Sequence, residues 1–130
     1  MSDEFQKPPR SWYARFRDAF RGVGQGARGQ SSFLVHFVCA AMVLLLGSIL
    51  RMNWIEGSLL VICIFAVLTA EMFNSALETL AKAIDTHHNP HLADGLNIAS
   101  SAVLLGSIGA VIVGTLVFTG RLIQLLNKGN

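Results

Sequence analysis

The sequence predicts an all-α membrane protein, with an amphipathic surface helix at its N-terminus followed by three transmembrane helices. Three observations favour this class. Of the 130 residues, 52% are apolar and only 14% are charged, whereas a soluble domain usually carries about a quarter charged residues. Six of the ten Lys and Arg side chains precede residue 29. Residues 33–50 then contain no charged side chain and are numerous enough to cross a bilayer as a helix.

The N-terminal region is predicted to lie on the membrane surface. Residues 1–9 are polar and end in two prolines, which predicts a flexible tail, and residues 10–28 form an amphipathic pattern. In this pattern Trp12, Phe16 and Phe20 share one face of a helix, while arginines occupy the other. Aromatic rings beside arginines favour the headgroup region of a bilayer, and a net charge of only +2 argues against a nucleic-acid partner.

Three apolar stretches predict the spans, and polar turns separate them. The first span covers residues 33–50, the second 57–78 and the third 98–118, and a C-terminal tail follows at 121–130. A short polar turn precedes the second span, and a loop with an Asn-Pro turn precedes the third. Small residues recur at every fourth position of the third span, which favours close packing against another helix.

The distribution of basic residues predicts the orientation of the chain in the membrane. The N-terminal segment carries six basic residues, whereas the turn after the first span carries one. Basic residues near span ends favour the cytoplasmic side, so the N-terminus and the loop at residues 80–97 are expected to be cytoplasmic. The end of the second span is therefore predicted to face the cytosol, and residues 10–120 are interpreted as a single membrane domain.

Polar side chains appear at membrane depth near the end of the second span. Glu71, Asn74 and Glu78 occupy positions i, i+3 and i+7 of a helix and so share one face. A carboxylate at this depth costs at least a few kcal/mol, which is typical of a functional site. The two carboxylates are predicted to lie roughly 10 Å apart along the axis, which suits one proton-handling and one cation-handling group. A polar clamp between helices and a proton or cation pathway are the alternatives.

The same residues belong to a motif with a known counterpart. Glu71-x-x-Asn74-Ser75-Ala76-x-Glu78 matches the pattern E-x-x-N-[ST]-A-x-E, and through it the chain resembles the prokaryotic integral-membrane diacylglycerol kinase and undecaprenol kinase family. Supporting segments are residues 16–22, Phe33-x-x-His36 and residues 99–105. The resemblance implies a homotrimer with sites between neighbouring subunits on the cytoplasmic side. It also implies phosphorylation of a lipid hydroxyl by ATP and Mg²⁺, with diacylglycerol or undecaprenol as the acceptor.

The resemblance further implies roles for individual residues. Glu71 occupies the position of the catalytic base, and Asn74 that of the adjacent asparagine of the site. Glu78 matches a ligand to Mg²⁺, and Gln30 falls where the family has its first metal-binding glutamate. The residues expected at the nucleotide are Gln30, Glu78, Asp94, Asn97 and Arg28.

Three departures from the family pattern bear on activity. Gln30 replaces a glutamate, Leu34 an arginine, and Leu96-Asn97 a Lys-Asp pair. A glutamine offers Mg²⁺ a neutral carbonyl without a negative charge, and loss of the lysine removes a cation from the phosphates. The nearby substitutes are Asp94 for the acid, and His87, His88 or Arg28 for the cation. The departures keep a second function open, that of a membrane scaffold or lipid-binding protein without catalytic turnover.

Overall fold

The computed structural model describes residues 11–28, 31–84, 87 and 89–128, and these residues form four helices. The helices are α1, Trp12–Ala27; α2, Ser31–Ile49; α3, Trp54–Ile84; and α4, Pro90–Lys128. By length and composition, α2, α3 and α4 can each cross a membrane. The predicted all-α class with three apolar membrane helices is therefore confirmed, while the predicted tail at 1–9 lies outside the described residues.

Helices α3 and α4 pack against each other as an antiparallel pair, and this is the most extensive helix contact of the described chain. Val67 of α3 and Val103 of α4 are among its buried residues. Gly106 lies opposite Val67, because a Cβ atom added there would stand 3.9 Å from Val67 Cγ2. At least this member of the small-residue series therefore does pack against a neighbouring helix, and the pairing places the start of α4 beside the end of α3.

The turn between α2 and α3 is closed by hydrogen bonds to carbonyls at the end of α2 and in the turn itself. Arg51 adopts a φ of 51°, in the left-handed region that ends many helices, and the Met52 N–H donates to the Gly47 carbonyl at 3.1 Å. The Arg121 guanidinium on α4 adds two further donors. Its Nε reaches the Leu50 carbonyl at 3.0 Å, and its Nη2 donates to the Arg51 carbonyl. The Arg121 side chain of α4 thus stabilises the turn between the other two spans.

The start of α3 is a capping box. Asn53 Oδ1 accepts from the backbone N–H groups of Ile55 at 2.9 Å and Glu56 at 3.0 Å. In return, Glu56 Oε2 accepts from the Asn53 backbone N–H at 2.8 Å. The exchange satisfies donors that a helix start otherwise leaves without partners.

Helix α4 is longer than the predicted third span at both ends. It begins at Pro90 rather than near residue 98, because proline in the first turn of a helix forfeits no hydrogen bond. Asn89 Oδ1 also caps this start, accepting from the His91 N–H at 3.0 Å. The helix continues to Lys128, where the sequence predicted a tail from residue 121, since residues 121–128 contain neither glycine nor proline.

Candidate functional site

Three polar side chains are buried in the second half of α3. The exposed fractions are 2% for Glu71, 7% for Asn74 and 5% for Ser75. They occupy neighbouring turns of one helix face, as their spacing in the sequence predicts. A buried carboxylate or amide is costly without hydrogen-bond partners, so the partners of these groups define the site.

Glu71 is held between α2 and α3. The Ser32 hydroxyl, in the first turn of α2, donates a hydrogen bond to Glu71 Oε1. This contact joins residues from two helices, and it places the oxygen of a hydroxyl group next to a carboxylate buried in a membrane helix. The carboxylate is therefore positioned to accept a hydrogen bond, or a proton, from a hydroxyl.

Asn74 links the Glu78 carboxylate to α4. Its Nδ2 donates to Glu78 Oε1 at 3.1 Å, one turn further along α3. Its Oδ1 accepts from the Ser100 hydroxyl of α4 at 3.4 Å. Because the amide is fixed from both sides, it orients the Glu78 carboxylate while Glu78 itself stays half-buried.

Glu78 opens onto a cleft between the end of α3 and the start of α4, which we call the α3–α4 cleft. Its volume is about 350 Å³, within the range of small-ligand pockets. The wall from α3 includes Glu78 and Lys82, and the opposite wall includes Leu96. His87 lies at the same cleft.

A second, larger cleft of about 720 Å³ lies between α1 and α3, and we call it the α1–α3 cleft. Its lining includes Gly26 from α1, Arg28 directly after α1, and Met72, Ser75 and Lys82 from α3. At Gly26, α1 lies against the flexible end of the Met72 side chain, because an added Cβ atom would stand 2.7 Å from Met72 Sδ. The two clefts flank the buried polar face of α3 on either side.

The structure brings together some of the residues predicted for the site and separates others. Glu71, Asn74 and Glu78 share one face, and Asn74 contacts Glu78 directly. Asp94 and Asn97 are exposed on the first turns of α4 and do not line the α3–α4 cleft. Arg28 lines the α1–α3 cleft and His87 the α3–α4 cleft, whereas Gln30 and His88 lie outside the described residues.

Three residues of the site were missed in the sequence: Ser32, Ser100 and Lys82. Ser32 and Ser100 come from other helices, and no local periodicity relates either of them to α3. Lys82 did carry a signal, since it follows Glu78 by four positions and so continues the same helix face.

The described residues contain no group of three or more His, Cys, Asp or Glu side chains close enough to hold a metal ion by themselves. Mg²⁺ is usually held differently, by one or two carboxylates together with substrate phosphates and water. The half-buried Glu78 carboxylate, oriented by an amide at 3.1 Å, fits that kind of site.

Three apolar membrane helices with buried and half-buried carboxylates at one end define a helical membrane protein with an acidic site. The model of the prokaryotic diacylglycerol kinase family matches residues 17–118. The chain therefore belongs to this family of membrane lipid kinases, and the resemblance seen in the sequence is confirmed.

Two relatives are similar over most of the chain. Undecaprenol kinase from Bacillus subtilis (strain 168) is 27% identical over 111 residues, which cover 85% of this chain and 90% of that protein. Diacylglycerol kinase from Synechocystis sp. (strain ATCC 27184 / PCC 6803 / Kazusa) is 30% identical over 112 residues. That match covers 85% of this chain and 64% of the relative, so the chain spans somewhat less than two thirds of the second protein.

Proposed function

We propose that the protein transfers the γ-phosphate of ATP to the hydroxyl group of a membrane lipid. The observation that carries this proposal is the Glu71 carboxylate, which is 2% exposed within a membrane helix and accepts a hydrogen bond from a hydroxyl. A carboxylate is costly at this depth, and hydrogen-bond reach of a hydroxyl is the first requirement for a general base.

In the proposed reaction Glu71 is the general base. The lipid hydroxyl attacks the γ-phosphorus of ATP, its proton passes to the Glu71 carboxylate, and the bond to the bridging oxygen of the departing ADP breaks. Ser32 contacts Oε1 of this carboxylate, so we assign the incoming hydroxyl to Oε2. Phosphoryl transfer depends mainly on such positioning and on charge neutralisation, and a buried site supports both.

Glu78 is the proposed protein ligand for Mg²⁺, and Gln30 is the second. The ion supplies positive charge to the phosphates of ATP when it is bound. The Asn74 amide fixes one oxygen of Glu78 at 3.1 Å, which supports a defined position for the carboxylate. We assign the phosphate chain of the nucleotide to the α3–α4 cleft. Arg28, Asp94 and Asn97 do not line this cleft and are predicted to contact other parts of the nucleotide.

We also propose that α1 lies on the cytoplasmic membrane surface. Its aromatic side chains project away from the rest of the chain, with exposed fractions of 74% for Trp12, 62% for Phe16 and 76% for Phe20. Apolar rings at such exposure favour insertion among lipid headgroups, beside the arginines of the same helix. The N-terminus and the site would then both face the cytosol, where ATP is available.

The proposed assembly is a homotrimer. Two of the small residues in α4, Gly109 and Gly114, face open space, because an added Cβ atom at either would meet nothing within 4 Å. Such positions leave room for a helix of another subunit. The large apolar side chains exposed on α4, including Leu105 and Val111, would be covered by lipid or by that subunit.

The acceptor follows from the names of the two relatives, one an undecaprenol kinase and the other a diacylglycerol kinase. We propose one of these two lipids for this protein. The decisive experiment offers both in parallel to the purified protein in mixed micelles, with ATP labelled at the γ-phosphate and with or without Mg²⁺. Labelled lipid formed only with Mg²⁺ supports the kinase and identifies its acceptor.

A Gln30→Glu variant belongs in the same experiment, because it restores the negative charge of the family pattern. Labelling by this variant alone would mean that the parent chain keeps the fold but lacks a working metal site. Absence of label from both proteins with either lipid would contradict the proposed kinase and favour the scaffold or lipid-binding function.

A further inference from the structure

Lys82 lies between the two clefts that flank the buried polar face of α3. It lies on α3 one turn after Glu78, and it lines the α3–α4 cleft as well as the α1–α3 cleft. Relative to Glu71 it stands at i+11, so Glu71, Glu78 and Lys82 follow one face of α3. The rise along the helix separates the Cα atoms of Lys82 and Glu78 by about 6 Å, well within the reach of their side chains.

The α3–α4 cleft contains a negative charge that a phosphate chain would meet, so a nearby cation is needed. Glu78 contributes a negative charge to the wall from α3, and the facing wall contributes the apolar Leu96. A phosphate chain in this cleft therefore needs a cation beyond any metal ion at Glu78. Lysine suits that role, because its ammonium group is a compact charge on a flexible stem that can follow a phosphate.

Lys82 is also better placed than the other basic side chains at the clefts. Arg28 lines only the α1–α3 cleft, and His87 lines only the α3–α4 cleft. Lys82 is shared by both clefts, and it stands on the same helix as the two carboxylates. Helix α3 therefore fixes the distance between the Cα atoms of Lys82 and Glu78, whereas the other two cations come from outside this helix.

We propose that Lys82 is the phosphate-binding cation of this site and contacts the phosphate chain of the bound nucleotide. The inference rests on the proposed function, since it assigns the nucleotide to the α3–α4 cleft. It also explains how the chain tolerates Leu96 at the position of the family's lysine. The positive charge is supplied from α3, across the cleft from the residue that lacks it.

The main test compares the binding of MgATP by Lys82 variants at equilibrium, in a neutral detergent without anionic lipid. Lys82→Met should weaken MgATP binding roughly 10- to 100-fold, the worth of one charged contact, and Lys82→Arg should stay close to the parent. Lys82→Gln is expected to behave as Lys82→Met and serves if the methionine variant does not fold. Lys128→Met, at the far end of α4, is the matched control and should bind normally.

A double variant tests the position of the charge. Because Leu96 faces Lys82 across the cleft, Lys82→Met with Leu96→Lys returns one ammonium group to the same space. We expect this variant to recover at least a tenfold part of the lost MgATP affinity. In kinetic assays the KM for MgATP should rise in Lys82→Met and fall again in the double variant, with a smaller change in kcat.

The outcomes separate this inference from the kinase itself. Undiminished MgATP binding by Lys82→Met and Lys82→Gln would overturn the role of Lys82, even if the parent phosphorylates lipid. A difference that appears only when anionic lipid is added would identify a lipid headgroup, not the nucleotide, as the phosphate that Lys82 contacts, and would also overturn it. Lys82-dependent MgATP binding without any lipid phosphorylation would support the inference and contradict the proposed reaction.

Discussion

The two ends of α3 carry similar polar residue types, an asparagine and glutamates, but they use them differently. At the N-terminal end, Asn53 and Glu56 exchange hydrogen bonds with backbone N–H groups of the first turn. Near the C-terminal end, Asn74 contacts the side chains of Glu78 and Ser100 and no backbone group is involved in either bond. At the N-terminal end the polar side chains cap the helix, whereas near the C-terminal end they contact side chains of other helices.

The difference also extends to the neighbouring helices. At the N-terminal end, the Arg121 guanidinium of α4 donates to the backbone carbonyls of Leu50 and Arg51. At the C-terminal end, the Ser32 hydroxyl of α2 donates to the Glu71 carboxylate. Polar groups bonded to the backbone stabilise the fold, whereas a carboxylate whose partner is a side-chain hydroxyl can exchange that partner for the hydroxyl of a ligand. The comparison therefore predicts stability effects at one end and catalytic effects at the other.

The largest effect on activity is expected when Glu71 is replaced by glutamine. Glu71→Gln should lower lipid phosphorylation by roughly 10²- to 10⁴-fold, because an amide cannot take the proton of the acceptor hydroxyl. The fold should be preserved, since the glutamine carbonyl can still accept from Ser32. Initial rates and the elution volume in detergent would be measured together.

Glu56→Gln is the matched control at the other end of α3. Glutamine also serves in a capping box, so both the phosphorylation rate and the unfolding temperature should stay near those of the parent. Equal loss of activity in the two variants would mean that the two ends of α3 do not have separate roles in stability and catalysis.

A smaller effect is expected at Glu78. Glu78→Gln removes the proposed charge for Mg²⁺ while keeping a group that Asn74 can contact, so the rate should fall roughly 10²-fold at a fixed, low Mg²⁺ concentration. Raising the Mg²⁺ concentration should recover part of this loss. The same titration should not recover Glu71→Gln, because the missing proton acceptor is independent of the metal. Recovery of both variants, or of neither, would argue against separate roles for the two carboxylates.

The sequence predicted most of the contacts that lie within one helix. Glu71, Asn74 and Glu78 were placed on one face because helical periodicity alone relates positions i, i+3 and i+7. Helix α4 begins at Pro90, inside the predicted loop, because an Asn-Pro pair is compatible both with a loop and with the first turn of a helix. The local sequence pattern thus predicts the presence and faces of each helix better than the residues at which it begins and ends.

Contacts between helices could not be predicted in the same way. The bond from Ser32 to Glu71 joins positions 39 residues apart, and that from Arg121 to Leu50 joins positions 71 apart. Serine and arginine at these positions have no periodic relation to their partners, so only the packing of the helices reveals them. Arg121 was accordingly assigned to a tail, although it closes the turn between α2 and α3.

Replacing Arg121 should change the stability of the protein more than its activity. Arg121→Ala removes charged hydrogen bonds to the Leu50 and Arg51 carbonyls, and we expect the free energy of unfolding to fall by about 1.5–3 kcal/mol. The KM values for ATP and lipid should change little, because Arg121 of α4 lies near the N-terminal end of α3, remote from Glu78. Unfolding in mixed micelles by a denaturing detergent would measure the first effect.

Lys128→Ala is the control for Arg121, since it removes an exposed positive charge from the same helix. A change within about 0.5 kcal/mol is expected for this variant. If it destabilised the protein as much as Arg121→Ala, net charge and not the hydrogen bonds to the turn would explain the loss.

The smallest predicted effect compares two helix caps. Asn53→Ala at the start of α3 should lower the free energy of unfolding by about 1 kcal/mol, the usual worth of an N-cap. Ser11→Ala at the start of α1 should cost less, because the Ser11 hydroxyl accepts a single bond from Ala14 N–H at 3.3 Å, whereas Asn53 accepts two at 2.9 and 3.0 Å. Both variants should phosphorylate lipid at the parent rate. A larger loss for Ser11→Ala would mean that α1 contributes more to the stability of the chain than its exposed aromatic side chains indicate.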